Sequence, residues 1–426
     1  MKKITLIFNL HQPFRLKRYR FFDIGNDHYY YDDFENEEII RRNNKQTYAP
    51  ANEALLQLME QNPDFKVSFV ISGTMIEQLE TFAPETIHTF KLLAETGRTD
   101  FLATPYAHSI ASLFDKKEFE YQMRLHSRNV TSLFGITPSV VCNTELLYND
   151  EIAESVYALG YKGILTEGAK HILGWKSPNY LYQTNNAHPI KLLVRNAAIS
   201  DKIQVLFGRY DSGDYPYTVD KLLRAIQSLP TDEEEVVLYM DYEVMGTLWS
   251  AATGIFDFFK ALPHMAQEAG IGFSTAKESI ERKARGGVLE VRYPISIIGE
   301  AKDSSPWLGN ELQEGAKELL LKWGERVRIT RDNNLLQDWI YLQSADHFYY
   351  MNTRKELVGT FSPFDTPFAA FTNYMNVLSD FILRIETEYP SSIENEELHA
   401  LLSTIDNQNE KITQLQKELD MLREKH

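Results

Sequence analysis

The run Lys66-Val67-Ser68-Phe69-Val70-Ile71-Ser72-Gly73, the helical stretch Ile76 to Glu95, Gly97 and then Phe101-Leu102-Ala103 decide the fold. The first piece is a β-branched, aromatic run stopped by Ser72-Gly73, so it reads as a strand. Ile76 to Glu95 reads as a helix for which Gly97 supplies the stop. Phe101 to Ala103 is strand-like again. Strand, helix and strand in close succession form the unit of a parallel sheet with crossover helices.

The same unit recurs outward in both directions. Lys3 to Asn9 reads as a buried strand ending in His11-Gln12-Pro13, with a helical stretch at Ala54 to Glu60. Asp115 to Phe134 is a helix closed by Gly135, and Val140 to Asn143 a strand. Glu151 to Leu159 is a helix stopped by Gly160, and Gly163 to Thr166 a strand. Val236 to Asp241 is a further strand, followed by a helix from about Ile255 to Ala261. A barrel holds this many units better than an open sheet, although closure is favoured rather than dictated. Past Val291 the pattern changes: Leu308 to Arg326, Leu335 to Tyr350 and Pro367 to Glu386 all read as helices. The expected organisation is a barrel over 1–291, a helical region over 292–390 packed on it, and a terminal helix over 391–426.

That terminal helix carries a heptad. Leu398, Ile405, Ile412 and Leu419 are seven apart, and Leu401, Gln408, Leu415 and Leu422 fill the partner positions. Two readings stand, a helix lying on its own domain and a coiled coil joining subunits into a homo-oligomer.

Composition removes several functions. The 426 residues carry a formal charge of −16 and no Lys/Arg-rich stripe, which disfavours nucleic acid as a partner. With 43% apolar and 12% aromatic residues the chain can offset its ordering entropy, so disorder is excluded. No stretch approaches the ~18 apolar residues of a membrane span. Met1-Lys2-Lys3 is followed by an apolar run broken by Asn9, His11 and Gln12, with no cleavage site. Cys142 is the single cysteine, so no intrachain disulfide can form. Together these fit a cytoplasmic protein.

In a barrel, chemistry gathers where strands end. The polar residues there are His11, His108, Glu145, Glu167, Asp241 and Glu243. No metal spacing, phosphate loop or nucleophile elbow is present, so neither a metal nor another cofactor is expected. Glu145 leaves Val140-Val141-Cys142-Asn143-Thr144, and Asp241 leaves Val236-Val237-Leu238-Tyr239-Met240. Two carboxylates facing across a barrel mouth are what acetal hydrolysis needs, one to protonate the leaving oxygen and one to attack or activate water. Taken singly, a strand-end acid is more often a salt-bridged or capping group.

His11-Gln12-Pro13, Asn143-Thr144-Glu145-Leu146 and Met240-Asp241-Tyr242-Glu243, in this order, resemble glycoside hydrolase family 57. The likeness is closest to its α-amylase branch. It extends through Phe22-Asp23-Ile24-Gly25, Ile172-Leu173-Gly174-Trp175, Gly254-Ile255-Phe256-Asp257-Phe258, Trp307-Leu308-Gly309-Asn310 and Asp346-His347-Phe348. It implies an α/β fold, a distorted (β/α)7 barrel followed by a helical C-terminal region. It also implies Glu145 as nucleophile, Asp241 as general acid/base and an α-glucan or maltooligosaccharide substrate. His11 would line the sugar cleft, with His108 and His347 near it. Trp175 and Trp307 have faces suited to pyranose rings, and Glu243 lies two residues from Asp241, on the same face of a continuing strand, where it would orient or tune Asp241 or simply pair with a Lys or Arg. For each tryptophan ordinary packing competes with that role.

Some positions depart from the family pattern. No acid precedes Tyr106, Cys142 stands where Arg is usual, Thr247-Leu248 replace an acid and a His, and Ile297 and Gly299 replace a Trp and an Asp. These changes surround the cleft, so a catalytically impaired glucan-binding or regulatory homologue is the main rival. A metal-dependent sugar deacetylase is a third reading and lacks the Asp/His/His spacing it requires.

Overall fold

The computed structural model describes residues 1–354 and 362–388, together with 404, 405, 408, 409, 411–413, 415 and 416. Seven strands form the barrel ring, β1 (Lys3–Leu10), β2 (Val67–Ile71), β3 (Thr99–Phe101), β4 (Val140–Cys142), β5 (Gly163–Thr166), β7 (Lys191–Val194) and β8 (Glu235–Asp241), and β6 (Tyr182–Thr184) and β9 (Gly272–Ser274) lie beside it. β3, β2, β1 and β8 pair in parallel in that order, and β4, β5 and β7 do the same. Two parallel bridges join the halves: Ala103, just past β3, with Val141, and Arg195, just past β7, with Val237. The ring β1-β2-β3-β4-β5-β7-β8 is therefore closed, but at each seam by a single bridge. That is the distortion. β6 runs antiparallel on β7, and β9 pairs with the start of β1.

The strand period of two sorts the side chains. Ile4, Leu6, Phe8 and Leu10 of β1 face outward into a core shared with the surrounding helices. Ile7 faces the lumen, where it meets Val70, Leu102, Cys142, Leu165, Leu193, Val237 and Tyr239. Each ring strand thus supplies an apolar plug. Two residues further along each strand, on the same face, come Asn9, Ser72, Thr104, Thr144, Glu167, Arg195 and Asp241. A polar layer lies directly on an apolar one, at the end of the barrel where the strands finish.

Two helical stretches divide where one was expected. Ile76 to Glu95 is two helices, Gly73–Phe82 and Pro84–Glu95, because Pro84 opens the second and forces Ala83 out of the helical region (φ −151°). Leu335 to Tyr350 is likewise Asn333–Leu342 and Ala345–Tyr349, split at Gln343-Ser344. The helix expected to end at Ala261 runs on to Glu268 with Pro263 inside it. The helices Glu311–Ile329, Asn333–Leu342 and Pro367–Glu388 share a core with Leu16, Tyr30, Tyr31 and Tyr106 of the barrel loops. Tyr30 donates to Asp380 (2.7 Å) and Tyr31 to Asp338 (2.8 Å), so these tyrosines brace barrel to helices. Of the heptad, Ile405, Gln408, Ile412 and Leu415 are helical, with Ile405, Ile412 and Leu415 exposed; its other positions lie outside the described residues.

One buried group makes stability depend on pH. His126 is fully buried; its Nε2–H donates to the Ile71 carbonyl (2.7 Å) and its Nδ1 accepts from Thr104 N–H (3.3 Å). Protonating Nδ1 would set two donors face to face, and burial lowers the pKa to about 4. Above about pH 6.5 neither state carries this charge; as pH falls the unfolded chain takes up the proton first. Stability should therefore drop from about pH 6.5 to 4, by on the order of 3 kcal/mol from this group. Urea unfolding at both ends of that window, in wild type and His126→Gln, checks it. An equal loss in both proteins refutes the assignment.

Candidate active site

β4 delivers Glu145 through a strained turn. Asn143 Oδ1 accepts from Thr144 N–H (2.9 Å), and Asn143 Nδ2 donates to the Leu147 carbonyl and Ser112 Oγ, both at 2.9 Å. Between these ties Glu145 (φ 48°) and Leu146 (φ 57°) are both left-handed. Among the described residues the other non-glycine positive φ values belong to His108 (54°) and Lys302 (52°). His108 touches Glu145, and Lys302 Nζ donates to the carbonyl of Ile297, whose own N–H holds the Glu145 carbonyl (2.9 Å). Such residues cost on the order of 1–3 kcal/mol each and persist only where surroundings over-determine them. Here they converge on one residue, Glu145.

A histidine pair sits against it. His108 Nε2 lies 3.1 Å from Glu145 Oε1, and its ring stacks on His11 with centroids 3.9 Å apart. His11 Nε2 meets Asp346 Oδ2 (2.8 Å) and its Nδ1 meets Ser72 Oγ (2.8 Å). Burial, then the neighbouring His108, lower the His11 pKa and favour the neutral ring, so Nε2–H donates to the carboxylate and Ser72 O–H donates to Nδ1. Burial alone would raise the Asp346 pKa, but His11 and Ser344 Oγ (2.7 Å) hold it well below the ordinary range. Both nitrogens of His11 are thus engaged. The Glu145 side chain is 27% exposed while that of His108 is 5%, so solvent reaches the acid but hardly the imidazole behind it.

Asp241 ends β8 beside Asn9 of β1, its register partner. Asn9 Nδ2 donates to Oδ1 at 3.3 Å and Gln204 Nε2 to Oδ2 at 2.7 Å. Burial and then the charge of Glu145 raise the Asp241 pKa. The Glu243 pKa is pushed up to about 7, by burial and then by Asp241, and its Oε1 accepts a hydrogen bond from the Tyr48 hydroxyl. Glu167, fully buried at its side chain, pairs with Arg195 (3.2 Å). Arg195 also reaches Asp201, and supplies the buried cation near Asp241.

Glu145, Asp241, His11, His108 and Glu243 are therefore gathered at one end of the barrel. Three other expected residues stand apart. Trp307 is 1% exposed inside the helical-region core, so it offers no open ring face. His347 is buried and bonds the Tyr341 carbonyl (3.2 Å), while its neighbour Asp346 is the one that reaches the mouth. Trp175 is 93% exposed on the turn after the helix Lys170–Leu173. Sequence reasoning missed Asn9, Ser72, Arg195 and Gln204. For the first three the signal existed: each lies two residues past an apolar lumen residue.

Among the described residues no helix is long and apolar enough to cross a membrane, and no three His, Cys, Asp or Glu side chains are grouped to hold a metal ion. The protein named "Putative alpha-amylase" in Methanocaldococcus jannaschii is 36% identical over 396 residues, 89% of this chain and 84% of that one. Solved structures share the fold at low identity. A family 57 branching enzyme from Thermococcus kodakaraensis superposes with a TM-score of 0.68 at 12% identity, covering 95% of this chain and 94% of that one. The 4-alpha-glucanotransferase of Thermococcus litoralis gives 0.62 at 17% identity, over 89% of this chain; the match spans only 60% of that longer enzyme. Residues 5–292 match Glycosyl hydrolase family 57, and the chain belongs to that family.

Proposed function

We propose that the protein acts on α-1,4-glucans, glycogen-like or maltooligosaccharide, as a retaining hydrolase or transferase with Glu145 as nucleophile and Asp241 as general acid/base. The observation that carries this reading is that Glu145, just past β4, and Asp241, at the end of β8, lie at the same end of the barrel, both partly exposed, with burial and then the charge of Glu145 raising the Asp241 pKa. Glu145 attacks C1 as the glycosidic bond breaks, and Asp241 gives its proton to the leaving glucosyl oxygen. Asp241 then takes a proton from water or an acceptor sugar hydroxyl, whose oxygen displaces Glu145 from C1. Water gives hydrolysis and a sugar gives transfer. Retention needs the carboxyl groups about 5–5.5 Å apart.

The test is incubation with maltoheptaose and with glycogen, following anomeric protons by nuclear magnetic resonance. The first-formed products should carry the α configuration, with reducing-end release marking hydrolysis and redistribution of chain lengths marking transfer. No product from any α-glucan would end the enzyme reading.

A second reading, an impaired glucan-binding homologue, draws on the altered positions. Cys142 is 1% exposed in the lumen layer, and Thr247 Oγ1 is tied to Thr47 Oγ1 (2.9 Å). Neither gives the cleft the charged group usual there. Calorimetric binding of maltoheptaose without turnover would favour it.

A further inference from the structure

The seam between β7 and β8 has a consequence for Asp241. After the Arg195–Val237 bridge, β7 turns into the helix Ala197–Gln204 while β8 continues to Asp241. The N–H groups of Tyr239 and Asp241 on that edge lose the strand that would have accepted them, and buried N–H groups need partners. The helix supplies them. Ser200 Oγ accepts from Tyr239 N–H (3.3 Å) and Gln204 Oε1 from Asp241 N–H (3.0 Å), while Arg195 Nε donates to the Tyr239 carbonyl (3.1 Å). Ser200 and Gln204 are four apart on one helix face, matching two residues along a strand edge.

This geometry fixes the Gln204 amide. Its oxygen is committed to a backbone N–H, so its nitrogen must point at Asp241 Oδ2, 2.7 Å away. Turned over, the amide would oppose donor to donor and oxygen to carboxylate. Asp241 Oδ1 has the looser contact, 3.3 Å from Asn9 Nδ2.

We propose that Gln204 is a positioning residue for Asp241: it fixes the rotation of the carboxyl, keeps a donor on Oδ2 and leaves Oδ1 as the oxygen that carries the proton. The inference rests on Asp241 being the general acid/base. The charged and titratable groups facing Asp241 are Glu145 across the mouth, Glu243 on the following turn, Tyr239 on its own strand and Arg195 on β7. Burial and Glu145 disfavour the carboxylate form; the Gln204 donor stabilises it and so opposes them.

The test measures the Asp241 proton directly and then the reaction. In protein labelled with carbon-13 at aspartate carboxyls, the infrared difference against Asp241→Asn isolates the Asp241 titration. Gln204→Met, of similar volume but without a donor, should raise it by about one pH unit, and Gln204→Glu by about two, through a like-charged neighbour. Ser200→Ala, which cuts the adjacent backbone tie, should leave it in place. The alkaline limb of kcat against pH should move up by the same amounts, because the acid form of Asp241 is required. KM should change little. Folding of each variant is read by circular dichroism. Unchanged titration in a folded Gln204→Met or Gln204→Glu overturns the inference whether or not the wild type turns over glucan. Shifted titration in a protein inactive on every glucan upholds the tie to Asp241 and removes only the catalytic assignment.

Discussion

Glu145→Gln should lower α-glucan turnover by roughly ten-thousand-fold, the scale of losing a covalent nucleophile, while leaving the fold intact. Gln keeps the shape of the side chain and a polar atom for His108, whose Nε2 lies 3.1 Å from Oε1. It also leaves the left-handed backbone at φ 48° undisturbed, since the strain belongs to the main chain and its ties to Asn143 and Ile297. What it removes is the negative charge that, in the proposed mechanism, attacks C1, and that adds to burial in raising the pKa of Asp241. The unfolding midpoint should therefore stay within the range of a surface substitution, about 0.5 kcal/mol. Initial rates on maltoheptaose, with urea unfolding alongside, decide the matter. A variant within tenfold of wild-type rate would show that another group does the covalent work.

Much of this centre is legible in the sequence. An apolar run followed by a carboxylate, as at Val236 to Asp241, marks a strand end in a barrel, and the period of two orders what lies beneath it. What could not be read is whatever depends on the two seams. β7 is only Lys191–Val194, too short to stand out, and the helix after it matters because β8 outlasts β7. Nothing local to Gln204 announces that. Asp346 shows the other limit. Asp346 and His347 are adjacent on one short helix, and only the break at Gln343-Ser344 turns Asp346 toward His11 and His347 into the core. Periodicity reads that stretch as one helix and cannot choose between them.

Removing Asp241 should show a different signature from removing Glu145, and the difference is what assigns the roles. A general acid contributes roughly a hundred- to ten-thousand-fold where the leaving group needs a proton. Asp241→Ala should lose that much on maltoheptaose. With α-maltosyl fluoride, whose leaving group departs as an anion, bond breaking should survive within about tenfold of wild type. The glycosyl-enzyme then accumulates, because no base remains to activate water, so a burst should precede a slow steady state. Azide needs no base; it should enter the space left by the carboxyl, accelerate turnover and give a glycosyl azide of α configuration. In Glu145→Gln the fluoride should fare no better than the glucan, for there is no nucleophile to receive the sugar. Equal losses on fluoride and glucan in Asp241→Ala, with no effect of azide, would strip Asp241 of the acid/base role. Glu243 would then become the next acid to test, since its pKa of about 7 suits it to proton transfer near neutral pH.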